Sequence, residues 1–155
     1  MNDKRPTGFW VITIVSVLWL ITMLLGQVMA YVDYEFTVSL GLQESVDAVG
    51  PMGVAVNKGF GVGDTIVYIP LIVIGLVGLW RRRTWGLIAM SGAFAITAYF
   101  PVVCLSLLLF ARGTPGFAFT RFVPYAIFLT IVTLYGLWGL WYLSSRRGRL
   151  TQACS

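Results

Sequence analysis

Histidine is absent from the 155 residues, and cysteine occurs only twice. Without an imidazole the chain lacks the commonest general base, the commonest metal ligand and the usual axial haem ligand. The two cysteines, Cys104 within an apolar run and Cys154 beside the C-terminus, differ too much in expected depth for a bridge that needs α-carbons within about 7 Å. No disulfide framework, zinc site or cofactor is expected. Charge is scarce too, with Asp, Glu, Lys and Arg making up 11% of the chain. Its net +5 is spread over short clusters beside apolar runs, with no basic domain to grip phosphates, so nucleic acid is not an expected partner.

What remains is apolar: 58% of residues are hydrophobic and the mean hydropathy is +0.84, well above an ordinary soluble domain. Four runs of roughly 20 residues each are long enough to cross about 30 Å of hydrocarbon at 1.5 Å per residue. They predict an all-α integral membrane protein, a four-transmembrane-helix bundle forming a single domain over 1–155. The helices are expected at about 8–30, 65–80, 85–110 and 122–143, with an extracytoplasmic loop cap at 31–64 between the first two. The first run also resembles a secretory signal, with Lys4 and Arg5 ahead of it and the small residues Val28 and Ala30 behind. Its apolar stretch, 9–25, is longer than a signal core of roughly 7 to 15 residues, so a retained helix is expected.

Orientation is set by the short basic flanks. Lys4, Arg5, Arg81, Arg82, Arg83, Arg146, Arg147 and Arg149 fall on one side, against Lys58, Arg112 and Arg121 on the other. Both termini are therefore expected in the cytoplasm, and a prokaryotic inner membrane is the expected home of so compact a chain. Aromatic residues agree: Trp10, Trp80, Trp85, Trp138 and Trp141 lie near the inner ends, and Tyr31, Tyr34, Phe117, Phe119 and Tyr125 near the outer ones. Trp19 alone falls in mid-span.

The acidic residues concentrate in 31–64. The segment "VDAVGPMGVAVNKGFGVGD" is rich in glycine and carries Pro51, which predicts irregular backbone, whereas "FTVSLGLQESV" suits a short strand or an interfacial helix. Asp64 closes this segment and precedes the second run. It suits a helix N-cap, accepting from an unpaired N–H at the positive end of the helix dipole. The second reading is a functional carboxylate at the membrane boundary, where a cation or proton would enter. Asp33 and Glu35 would share a face of an extended segment and could hold a cation through oxygen; a solvated flank is the plainer reading. Glu44 and Asp47, three apart, could meet on a helical turn.

"GFGVGD" lacks the downstream lysine of a phosphate loop and reads as a turn that needs unusual backbone angles. "WRRRTWG" is a tight cytoplasmic turn in which Arg81, Arg82 and Arg83 set topology or bind anionic lipid headgroups. Small residues, including Gly75, Gly78, Ala89, Ala93, Gly136 and Gly139, mark surfaces where helices approach closely, within the bundle or between subunits.

Inside the expected spans no Asp, Glu, Lys, Arg or His occurs, which counts against ion-coupled transport. Ser16, Gln27, Thr97, Tyr99, Ser106, Thr130 and Thr133 are the polar side chains left there, to line a cavity or to bond their own helix backbone. The function expected from these features is non-catalytic: a protein that self-associates or serves as an accessory subunit of a membrane complex, surrounded by lipid and recognising through its acidic outer loop. An oligomeric channel or facilitator, with Asp33, Glu35 and Asp64 enriching cations, is the alternative. A membrane enzyme acting on a lipophilic substrate through Glu35 and Asp64 comes third.

Overall fold

In the computed structural model the described residues are 5–114 and 122–150, without the side chains of Arg147 and Arg149. Lys4, Phe117, Phe119, Arg121 and Cys154, and most of the expected outer turn 111–121, lie outside them. Among the described residues every regular element is helical. Four helices are long and apolar enough to cross a membrane: α1 (Thr7–Val32), α3 (Val46–Trp80), α4 (Thr84–Phe110) and α5 (Phe122–Ser145). A short α2 (Tyr34–Ser39) lies between α1 and α3, and a one-turn α6 (Arg147–Leu150) follows α5.

The largest departure from expectation is at α3. Residues 46–63, expected to be irregular, are helical and continuous with the run at 65–80, so the helix begins near Val46 rather than at Thr65. Two local features make this possible. Gly50 takes φ 68° and ψ 171°, breaking the first turn away from the rest; only glycine adopts such angles without strain. Pro51 then sits at the start of the onward helix, where its missing N–H has no intrahelical partner to lose. Beyond it, Gly61 is fixed by packing, because a Cβ there would collide with the main-chain carbonyl of Gln27 on α1. Tertiary contact thus outweighs the roughly 1 kcal/mol by which each glycine disfavours a helix.

Both α1 and α3 widen into a π turn, at Leu24–Val28 and Asp64–Tyr68 respectively, and the two turns lie against each other. The second has a cause in the sequence. Pro70 cannot donate to the carbonyl four residues back, and its ring would press on it. The chain relieves this with an Ile69 N–H to Asp64 carbonyl bond, one residue longer than the α-helical span.

Packing follows chain order. Helix α4 runs between α3 and α5, and α1 lies along α3. Contact between α1 and α5 closes the bundle: Gly8 lies under the Tyr142 ring, and Trp19 and Phe128 rings are 6.1 Å apart. The α3–α4 hairpin is the tightest seam. Gly78 and Gly86 meet main chain to main chain, and a Cβ on Gly75 would stand 2.9 Å from the Met90 backbone. On α5, Gly136 faces the Ala98 backbone and Gly139 the Phe94 ring, each leaving no room for a methyl group. These small residues therefore serve the interior of one chain. Large apolar side chains such as Ile14, Leu18, Ile88, Ile131 and Leu134 point outward, as a lipid-facing surface requires.

Because the helices alternate in direction, the bundle is polarised. One end gathers Arg5, the Arg81–Arg83 turn and Arg146; the opposite end carries Asp33, Glu35, Glu44 and Asp47 with Lys58 and Arg112. At the basic end Arg5 donates to the Trp80 carbonyl at 2.7 Å, its guanidinium over the Phe9 and Trp80 rings at 4.3 and 4.5 Å. A cation on the last carbonyls of α3 also matches the negative end of that helix. The arginine turn closes with Arg82 N–H on the Leu79 carbonyl and Arg83 N–H on the Gly78 carbonyl. This is the paired bonding of a Schellman ending, with Arg82 at φ 55° where glycine is usual.

Candidate functional site

The acidic end holds a cleft of about 720 Å³. Its walls come from α3 (Val56, Asn57, Phe60), α4 (Phe100, Cys104, Leu107) and α5 (Pro124, Tyr125, Phe128). The segment 41–44 and Gln27 of α1 complete it. Phe60 and Phe100 meet edge to face with centroids 4.9 Å apart, tying α3 to α4 there. The lining is mainly apolar, and Glu44 is its one charged residue among those described.

Segment 40–45 is held in place by a small network around Tyr34. The Tyr34 hydroxyl donates to the Glu44 carbonyl and accepts from Asn57 Nδ2, both at 2.9 Å. Lys58 Nζ lies 5.9 Å from the centre of the same ring, within reach of a cation–π attraction. Burial pushes the Tyr34 phenol above its ordinary pKa; the Asn57 hydrogen bond opposes this, and the Glu44 and Glu35 carboxylates add to it. Gln43 Nε2 reaches the Gly26 carbonyl at 3.4 Å, inside the π turn of α1.

Gln27, a lining residue, carries an unusual polar atom behind the cleft surface. Its Oε1 is buried and has no hydrogen-bond donor. An acceptor left so in a dry site is unfavourable by about 1–3 kcal/mol.

Asp64 does not cap a helix. It lies inside α3, in the π turn, about 24 Å of helix from Trp80 at 1.5 Å per residue, hence within a hydrocarbon layer of about 30 Å measured from that end. Its residue exposure is 9%, and among the described residues no hydrogen bond or salt bridge reaches its carboxyl. The expectation that no ionisable residue enters a span is thereby corrected. The cause is the upstream extension of α3, which moves Asp64 from the start of a helix to its interior.

The residues one turn either side of Asp64 show which way it faces. Phe60 packs on Phe100, and Tyr68 shares a 2.6 Å hydrogen bond with Thr97. Asp64 lies between them on the α4-facing side of α3. Below it, Trp19 Nε1 donates to Tyr68 Oη at 2.8 Å, and Thr97 Oγ1 also donates to the Ala93 carbonyl at 2.9 Å. This interior network joins α1, α3 and α4.

The remaining predicted positions divide. Asp33 caps α2, its Oδ1 accepting from Phe36 N–H at 3.0 Å, and Glu35 is exposed in the first turn of that helix. The segment is thus helical, not extended, and the two carboxylates do not share a strand face. Asp33, Glu35 and Asp64 form no metal-holding group, and no such group of three exists among the described residues. Asp47 occupies the first turn of α3, where its charge complements the helix dipole. Arg81, Arg82 and Arg83 form the α3–α4 turn, with Arg81 and Arg83 exposed. Ser106, Thr130 and Thr133 bond back to their own helix, and Tyr99 is 70% exposed. Cys104 is a free thiol on the cleft wall.

Compared with family models, with curated proteins and with solved structures, the chain matches none.

Proposed function

We propose that this is a non-catalytic membrane protein that binds a single lipophilic small molecule in the cleft between α3, α4 and α5. The observation that carries the reading is the cleft: about 720 Å³ and mainly apolar, with Gln43, Glu44 and Asn57 among its few polar lining residues. Ligand sites commonly have about 300–1,000 Å³ and this balance of surface. The Tyr34 network supports it, since it fixes segment 40–45 as a preformed wall.

The same proposal places the basic end in the cytoplasm, with both termini, and the cleft, α2 and segment 40–45 as a cap on the outer side. Arg5, Arg81, Arg82, Arg83 and Arg146 at one end support that orientation in a prokaryotic inner membrane. The arginine turn there meets anionic lipid headgroups.

Native mass spectrometry of the full chain released from nanodiscs tests the reading. One retained adduct of lipid or metabolite mass is expected, and Val56→Trp, which fills the cleft, should abolish it while leaving helicity unchanged. An adduct that persists in Val56→Trp, or none in the wild type, refutes the proposal. The spectrum also gives subunit number, which tests self-association.

A further inference from the structure

We infer that Asp64 is a proton-binding site inside the bundle, a carboxyl that exchanges its proton with water entering from the cleft end. The inference stands on the packing around Asp64 and does not depend on the cleft holding a ligand.

Asp64 is nine-tenths buried within the span, and no hydrogen bond or ion pair among the described residues reaches its carboxyl. Its neighbours have no proton to give it. Thr97 Oγ1 donates to the Ala93 carbonyl, so Tyr68 is the donor in the 2.6 Å bond between them, and Tyr68 in turn accepts from Trp19 Nε1. Both hydroxyls are thereby spent. A metal ion needs several oxygen ligands, which this arrangement does not offer among the described residues; a proton needs one. As a carboxylate Asp64 would be an uncompensated charge in hydrocarbon unless water accompanies it, and as the acid it is neutral. Loading and unloading the proton therefore requires a way in for water. Below Asp64 the way is closed, since Ile72, Met90 and Phe94 are almost wholly buried. Above, it leads to the cleft, because Phe60, one turn up, and Cys104, on whose thiol the Asp64 charge acts, both line it. Unlike the Gln27 amide oxygen, the Asp64 oxygens are not sealed from a water-sized group. Asp64 also opens a π turn, a departure from α-helix that is frequent at functional sites.

The titratable groups around Asp64 are Tyr68 on its own helix, Cys104 on α4, and Tyr125 and Tyr135 of α5 beside them. On the neighbouring stretch of α1, Trp19 and Gln27 do not titrate, and no charged side chain among the described residues acts on the carboxyl. Phenols and thiols are neutral below about pH 8 in water, so in that range Asp64 alone changes charge there. On unloading, the carboxyl O–H bond breaks, its electron pair stays on the oxygen and the proton passes to a water molecule; loading is the reverse.

Infrared difference spectroscopy on the intact chain in nanodiscs tests this, with wild type set against Asp64→Asn so that the exposed carboxyls cancel. The wild type should show a carboxylic C=O band that the variant lacks. That band should shift in heavy water and give way reversibly to carboxylate bands as pH rises from about 4 to about 9. Cys104→Phe, which fills the approach from the cleft, should slow the heavy-water shift about tenfold or more, and Cys104→Ala should not slow it. If Asp64→Asn loses no such band, or loses one that neither shifts in heavy water nor titrates, the inference is overturned. A shift equally fast in Cys104→Phe overturns the route from the cleft and with it the inference. The comparison of wild type with Asp64→Asn decides the site even where Cys104→Phe does not fold.

Discussion

The two ends of the bundle are built on opposite principles. At the basic end, glycines bring α3 and α4 into main-chain contact at Gly78 and Gly86, and Arg5 locks the last turn of α3 to α1. At the acidic end, large side chains of α3, α4 and α5 line an open cleft. Close packing favours a single rigid arrangement. A cavity forgoes the contacts that would fill it.

The contrast can be broken most forcefully at the tight end. Gly78→Val sets a branched side chain against the Gly86 main chain. It should destabilise the protein by about 3 kcal/mol, the upper part of the range for overpacking, read as a lowered midpoint in detergent-induced unfolding. A midpoint within error of wild type would show that the hairpin is looser than described.

Asp64→Leu acts in the other direction. Replacing an unpartnered buried carboxyl by an apolar group of similar size should raise stability by about 1–2 kcal/mol, measured in the same unfolding assay. A loss instead would give the carboxyl a structural role.

Tyr34→Phe removes both hydrogen bonds that hold segment 40–45, a change of about 1 kcal/mol. Hydrogen exchange should quicken over 34–57 and stay unchanged over 75–90. The same contact is sensitive to alkali. The Tyr34 pKa is raised above 10.0 in the fold, so its stabilising contribution is complete below pH 10 and is lost as pH rises through the folded value. A Tyr34→Phe protein should lack that alkaline component.

The smallest expected effect is at the arginine turn. Arg82→Gly relieves a left-handed residue and should stabilise the hairpin by about 0.5–1 kcal/mol. A destabilised variant would mean that the Arg82 side-chain contacts outweigh the backbone strain.

Much of the architecture was legible before any coordinates. Runs of about 20 apolar residues can satisfy their backbone in lipid only as helices, and the arginine flanks already grouped Arg5 with Arg81–Arg83. The first half of α3 was not legible, because glycine and proline carry the local signal at 50–63 while the deciding contact, Gly61 on Gln27, joins residues far apart in sequence. The N-cap expectation for Asp64 fails for the same reason: "GFGVGD" looks like the entry to a helix when its own helix is out of view. The cleft was hidden more completely. Phe60, Phe100 and Tyr125 are ordinary aromatics in their own segments and form a wall only after three helices have been positioned. Gln27 could be noticed as a polar residue in a span, but its lack of a donor is a property of the packed molecule.

The touching π turns have a consequence for how this sequence tolerates change in length. Each holds one residue more than an α-helical path needs, as if a single amino acid had been inserted into an older, straighter helix. Deleting one residue within 64–68 would let α3 continue as plain α-helix, turning everything on one side of the cut by about 100° relative to the other. Phe60 and Asn57 would leave the cleft while Gly75 and Gly78 kept their places against α4. A shift of one codon is therefore enough to uncouple the two ends, and the paired turns record the register at which a close-packed hairpin and an open cleft can share the same helix.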